Sequence, residues 1–204
     1  MLNGIASFFS VILHPLFFPI YGLSYINWAD AYKFAGLDET ARTKFFAIVI
    51  VNTIVFPLIT VLIMKKLGFV SNIRLKEREE RIIPLAAGGL FYFWTFMVVR
   101  SLAVSGFITG VFLGASISVF ACFFFNLFFK ISIHCAAAGG FIAMALYLTL
   151  TVQHNLQIPL MVIIILAGLL GSARWYLKEH SPFEIFSGYL MGFLSQVVAF
   201  KMIV

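Results

Sequence analysis

The stretch FITGVFLGASISVFACFFFNLFF, residues 107–129, contains no charged side chain. At 1.5 Å of rise per residue it forms a helix long enough to cross the ~30 Å hydrocarbon core of a bilayer. Six further apolar runs flank it: 5–28, 44–64, 85–99, 133–152, 158–175 and 183–203. The first holds Pro15 and Pro19, which predicts a kinked or re-entrant segment. The third is short, and Arg100 or the Pro84 side extends it. Connections are brief except 65–84, where charge is densest. The whole chain agrees with this reading: its 204 residues are 62% hydrophobic and 11% charged, with mean hydropathy +1.05. A water-facing domain carries about a quarter charged residues. The expectation is an all-α, polytopic transmembrane bundle of six to seven spans, one integral membrane domain over residues 1–204.

The net charge of +6 sits between apolar runs and not along one face. Such placement fits headgroups and topology signals and argues against nucleic acid as a partner. The amino terminus, Met1-Leu2-Asn3-Gly4, lacks a basic n-region, so the first run is expected to be retained and not cleaved. Cys122 and Cys135 lie in apolar stretches without metal-type spacing and read as small core residues. The glycine pairs Gly139-Gly140, Gly168 with Gly171, and Gly188 with Gly192 predict close helix approach.

Ionisable groups near a membrane are costly, and here they form three clusters. The first is 76–84, KEREERIIP. The second is 130–134, KISIH. The third is 173–184, ARWYLKEHSPFE. Two spans separate each cluster from the next, and an even number of crossings returns the chain to the same side. All three therefore meet at one membrane face. The cations make a poor metal site and a good anion site, and no cofactor is expected. Arginine offers forked donors to phosphate oxygens, and lysine adds a point charge. Ser132 and His134 open the fifth span, where free N–H groups favour an anion. With two histidines, one can attack phosphorus while the other protonates the leaving oxygen. A carboxylate behind the attacking ring orients it.

These residues resemble the motifs of the type 2 phosphatidic acid phosphatase superfamily of membrane lipid phosphatases: K-x6-R-P, P-S-G-H and S-R-x5-H-x3-D. Arg174, His180 and Glu184 reproduce the spacing of the third, with Ala173 for Ser and Glu184 for Asp. Ser132 and His134 keep the second, with Ile131 for Pro and Ile133 for Gly. Lys76 and Pro84 keep the first in register, with Ile83 where Arg is expected. Arg81, two residues earlier, is positioned to supply that guanidinium. The match covers 76–184 in the right motif order. Two apparent spans between the first and second motifs differ from the shorter or more polar linker of many members. The resemblance implies a phosphatase-like helical core and a phosphohistidine formed on His180. It makes His134 the general acid and Glu184 the residue that orients His180. Lys76, Arg81, Ser132 and Arg174 would hold the phosphate.

Each cluster has a plainer reading. Residues 76–81 fit a solvated helix with Lys76–Glu80 and Glu77–Arg81 pairs. His134 fits an idle helix-end histidine. Ser181-Pro182-Phe183-Glu184 is a capping box with proline at the first helical position, a role compatible with catalysis. His14 reads as a packing or headgroup residue, and His154 as an exposed loop residue.

Two functions follow. One is hydrolysis of a phosphate monoester or pyrophosphate on a lipid headgroup, with substrate entering laterally from the bilayer. Phosphatidate, phosphatidylglycerol phosphate, isoprenyl pyrophosphate and a lipid A phosphate all fit, and phosphate transfer to another lipid is a variant. The alternative is a non-catalytic lipid-phosphate-binding or transport protein using the same cations. Positive charge alone would place the motif face in the cytoplasm. Set aside Lys76, Arg81 and Arg174 as functional, and the two sides nearly balance. The resemblance favours a site on the non-cytoplasmic face of a bacterial inner membrane.

Overall fold

A computed structural model describes residues 2–73, 75 and 77–204, with the side chain of Leu2 left aside. Every regular element among the described residues is helical. Seven helices are long and apolar enough to span: Asn3–Ala29, Glu39–Lys66, Glu79–Arg100, Gly106–Asn126, Ile133–Thr151, Gln157–Tyr176 and Pro182–Ile203. Large apolar side chains such as Trp94, Leu150 and Ile158 are exposed on the outside, as a lipid-solvated bundle requires. The chain is an integral membrane protein, with seven such spans among the described residues.

The first span is broken. Helix α1 (Leu2–Ile12) ends before Pro15, a single 3-10 turn covers Pro15–Phe17, and α2 (Phe18–Ala29) follows. Pro15 lacks an N–H and forces the preceding residue out of the helical region. His14 is accordingly extended, with φ −72° and ψ 138°. The Tyr21 hydroxyl donates to the carbonyl of Ile12 at 2.8 Å, satisfying an acceptor at the break.

The second span begins at Glu39, five residues before its apolar run, because Asp38 caps it by accepting from Ala41 N–H at 2.7 Å. Helix α3 (Glu39–Ile50) passes through a π turn at Val51–Val55 into α4 (Phe56–Lys66). Pro57 cannot donate to the turn before it, and the wider turn absorbs that mismatch.

Helix α5 (Ile82–Arg100) is entered through a 3-10 turn at Glu79–Arg81, so the third span starts before its apolar run. The solvated helix expected over residues 76–81 is not what the described residues 77–81 form. Leu75 takes a positive φ of 47°. Arg81 then folds back, and its Nε donates to the Leu75 carbonyl at 2.7 Å. Glu80 accepts from Ser71 N–H at 2.7 Å. The Glu77–Arg81 pair that α-helical spacing predicted is not among the ion pairs of the described residues, because Glu79–Arg81 is a 3-10 turn and not part of an α-helix. Lys76 itself lies outside the described residues.

Helices α6 (Gly106–Asn126), α7 (Ile133–Thr151), α8 (Gln157–Tyr176) and α9 (Pro182–Ile203) complete the bundle. The crossing of α7 with α9 is glycine-mediated. A Cβ at Gly192 would collide with the Ala136 carbonyl, one at Gly139 with the Tyr189 carbonyl, and one at Gly188 with the Ser132 carbonyl. This small-residue seam holds the amino-terminal turns of α7 and α9 together, and those turns carry the second and third polar clusters. Gly168, expected to share this role, has nothing within 4 Å of the position its Cβ would take. Cys122 and Cys135 are buried and free, in agreement with the core reading.

Candidate functional site

The three clusters converge. A cavity of about 450 Å³ is lined by Arg81 at the start of α5, His134 in the first turn of α7 and Arg174 in the last turn of α8. Glu179 and His180, from the connection between α8 and α9, and His14 at the break in the first span share the wall. Away from these groups the lining is mostly apolar, with Leu58, Leu85, Phe112 and Met144, and Ser118 and Gln196 among them. Met144 lies ten residues beyond His134 on α7, so the cavity reaches about 15 Å below its polar end.

The end of α8 aims the third cluster. Glu179 N–H bonds the Arg174 carbonyl at 3.2 Å, and Lys178 N–H bonds the Trp175 carbonyl at 2.9 Å. This is a Schellman ending. Lys178 occupies its left-handed position with φ 54°, at a cost of about 1 kcal/mol for a non-glycine residue. The reversal folds Glu179 and His180 back over Arg174. Glu179 Oε2 lies 3.9 Å from Arg174 Nη2. Arg174 is buried, and its Nε has no hydrogen-bond partner.

His180 is buried, and its Nδ1 donates to Glu184 Oε2 at 2.8 Å. Burial first, then the charges of Arg81, Arg174 and Lys130, push its pKa down to about 3. The nearby Lys130 carbonyl favours the proton but is outweighed. The ring is therefore neutral. Because a carboxylate can only accept, the one ring proton belongs on Nδ1, and Nε2 keeps its lone pair. Glu184 also completes the capping box of α9. Its Oε2 accepts from Ser181 N–H at 3.2 Å, while Ser181 Oγ accepts from Glu184 N–H at 3.3 Å. One oxygen thus caps the helix and orients the histidine.

Arg81 is 5% exposed, its Nη1 donating to the Ile131 carbonyl at 3.3 Å. Lys130 stands outside the spans, and burial followed by the charge of Arg81 lowers its pKa. His134 holds the Ser10 carbonyl through Nε2 at 3.2 Å, and its ring meets that of His14 edge-on, centroids 5.1 Å apart. Neither histidine is idle on the surface.

Ser132 differs from the expectation. It is fully buried and off the cavity wall, with its N–H on the Glu184 carbonyl at 3.3 Å. Its Oγ has no hydrogen-bond partner, with only the weak thiol of Cys135 beside it. It caps no N–H of α7. In this arrangement Ser132 ties the second cluster to the third without lining the cavity.

His14 and Glu179 were missed as members of this site. The signal for His14 was the His-Pro pair inside an apolar run, since a polar group at a forced helix break often faces a cavity. For Glu179 the signal was a carboxylate between two basic residues at a helix end. A comparison with protein-family models, curated proteins and solved structures gives no match for this chain.

Proposed function

We propose that this chain is a membrane-embedded lipid phosphatase that hydrolyses a phosphate monoester or pyrophosphate on a lipid headgroup. The observation that carries the reading is a buried His180, backed by Glu184, on the wall of a cavity that also holds two guanidinium groups. The apolar extension of the same cavity suits a lipid chain.

Arg81 and Arg174 neutralise the phosphoryl oxygens. The Nε2 lone pair of His180 forms a bond to phosphorus as the bond from phosphorus to the leaving oxygen breaks. His134 supplies the proton that the leaving oxygen takes. Glu184 stabilises the positive charge that develops on the His180 ring. Water then attacks phosphorus and gives a proton back to His134, the N–P bond breaks, and inorganic phosphate leaves with the His180 ring neutral again. The resemblance in motif spacing supports the same roles, and it supports a site on the non-cytoplasmic face of a bacterial inner membrane. Membrane-impermeant labelling of Glu179→Cys against Asn155→Cys reads that sidedness.

The purified protein in detergent should release phosphate from at least one of phosphatidate, phosphatidylglycerol phosphate, isoprenyl pyrophosphate and a lipid A phosphate. Folded protein inert on all four contradicts the reading. Glu184→Gln keeps an acceptor for the α9 cap but not the charge behind His180. It should leave Tm within a few degrees and cut turnover by about 100-fold or more. Unchanged release would assign Glu184 to the cap alone.

One observation favours the alternative, a non-catalytic lipid-phosphate-binding or transport protein: the Nε2 of His134 is engaged by the Ser10 carbonyl. A binding protein needs no free acid, whereas the phosphatase must release that bond as substrate enters.

A further inference from the structure

Three histidines line the cavity, and two have evident engagements: His180 with Glu184, His134 with the Ser10 carbonyl. The third, His14, comes from the broken first span, where it caps the 3-10 turn by accepting Leu16 N–H on Nδ1 at 3.4 Å. A ring nitrogen that accepts carries no proton, so in the neutral ring the proton is on Nε2. That N–H has no hydrogen-bond partner among the described residues, and the ring sits on the cavity wall within electrostatic reach of Arg174. Asparagine, serine or aspartate would cap this turn as well. What histidine adds is a second nitrogen, on a ring that lines the cavity.

Arg174 supplies the independent observation. A buried guanidinium whose Nε has no hydrogen-bond partner, and whose nearest carboxylate stands 3.9 Å from Nη2, marks a place for an anion. We propose that His14 is a substrate-binding residue whose Nε2–H donates to a phosphoryl oxygen held by Arg174, so that the first span closes the phosphate site. The lipid substrate in this statement rests on the phosphatase reading; the anion contact does not. The bound group is a phosphate or pyrophosphate, free or on a lipid.

The test uses the full-length protein in detergent micelles, with orthovanadate and inorganic phosphate as probes. His14→Asn keeps an acceptor for Leu16 N–H and removes the ring donor. Loss of a hydrogen bond to a charged group should weaken vanadate binding about tenfold to 100-fold, with Tm in the absence of vanadate unchanged. Affinity within about twofold of the native protein would overturn the assignment. Should the variant not fold, the native protein still decides. Carbethoxylation of His14, read by peptide mass spectrometry, should slow at least about fivefold in saturating vanadate. Equal rates with and without vanadate refute the contact. Lipid phosphate release in the same preparation separates the two readings. Vanadate binding that depends on His14, without hydrolysis of any lipid phosphate, supports this inference and sinks the phosphatase. No vanadate or phosphate binding by the native protein sinks both.

Discussion

His180→Ala should abolish phosphate release, with a loss on the order of 10⁴-fold or more, since removing a nucleophile leaves only binding and electrostatic catalysis. The fold should tolerate the change. The main hydrogen bond lost is to Glu184, whose Oε2 keeps the Ser181 N–H as a partner. Truncation also takes away a ring beside Arg81, Arg174 and Lys130, so the cations remain and phosphate should still bind. KM is expected to stay within a few-fold while kcat falls. The pH profile gives a second signature. With its pKa near 3, His180 stays unprotonated and reactive down to about pH 3. An acid limb of kcat/KM in the pH 6–7 range would therefore belong to another group, such as the substrate or a second histidine.

Arg174→Ala should cost about 10³-fold in kcat/KM, comparable to removing an arginine that stabilises a transferring phosphoryl group. The Arg174 guanidinium is poorly paired in the free protein. Its Nε is buried and unpartnered, and Glu179 sits 3.9 Å from Nη2, too far for a good hydrogen bond. A buried charge so poorly satisfied destabilises the free protein, and substrate phosphate would complete its shell. Arg174→Met, which fills similar space without the charge, should therefore match or exceed the native Tm while losing activity. Arg174→Lys should recover little, because a point charge does not reproduce a planar fork. A clear drop in Tm for the methionine variant would mean that Arg174 is a structural element of the α8 ending.

Much of this was legible in the residues. Hydropathy located the seven spans, because each crosses on its own apolar run. Parity brought 76–84, 130–134 and 173–184 to one face before any contact was known. The four-residue spacing of His180 and Glu184 predicted their contact, since a capping box places its glutamate one turn from the preceding residue. Other features depend on tertiary packing. Arg81 stands in a charge run that reads as solvated, and only the turn at Leu75 buries it against the Ile131 carbonyl. Ser132 sits in a motif position but is pulled off the cavity wall by the glycine seam between α7 and α9. His14 lies far from all three clusters in sequence, and the break at Pro15 brings it beside His134. The start of α3 at Glu39 escaped hydropathy because its first turns are polar.

The central claim is that His180 carries the phosphoryl group. Native protein mixed with a lipid monophosphate and quenched in base within the first turnover should yield an acid-labile phosphoryl group on the peptide containing His180. The peptides of His14 and His134 should carry none. Phosphate release without label on His180, or label on another residue, would contradict the account.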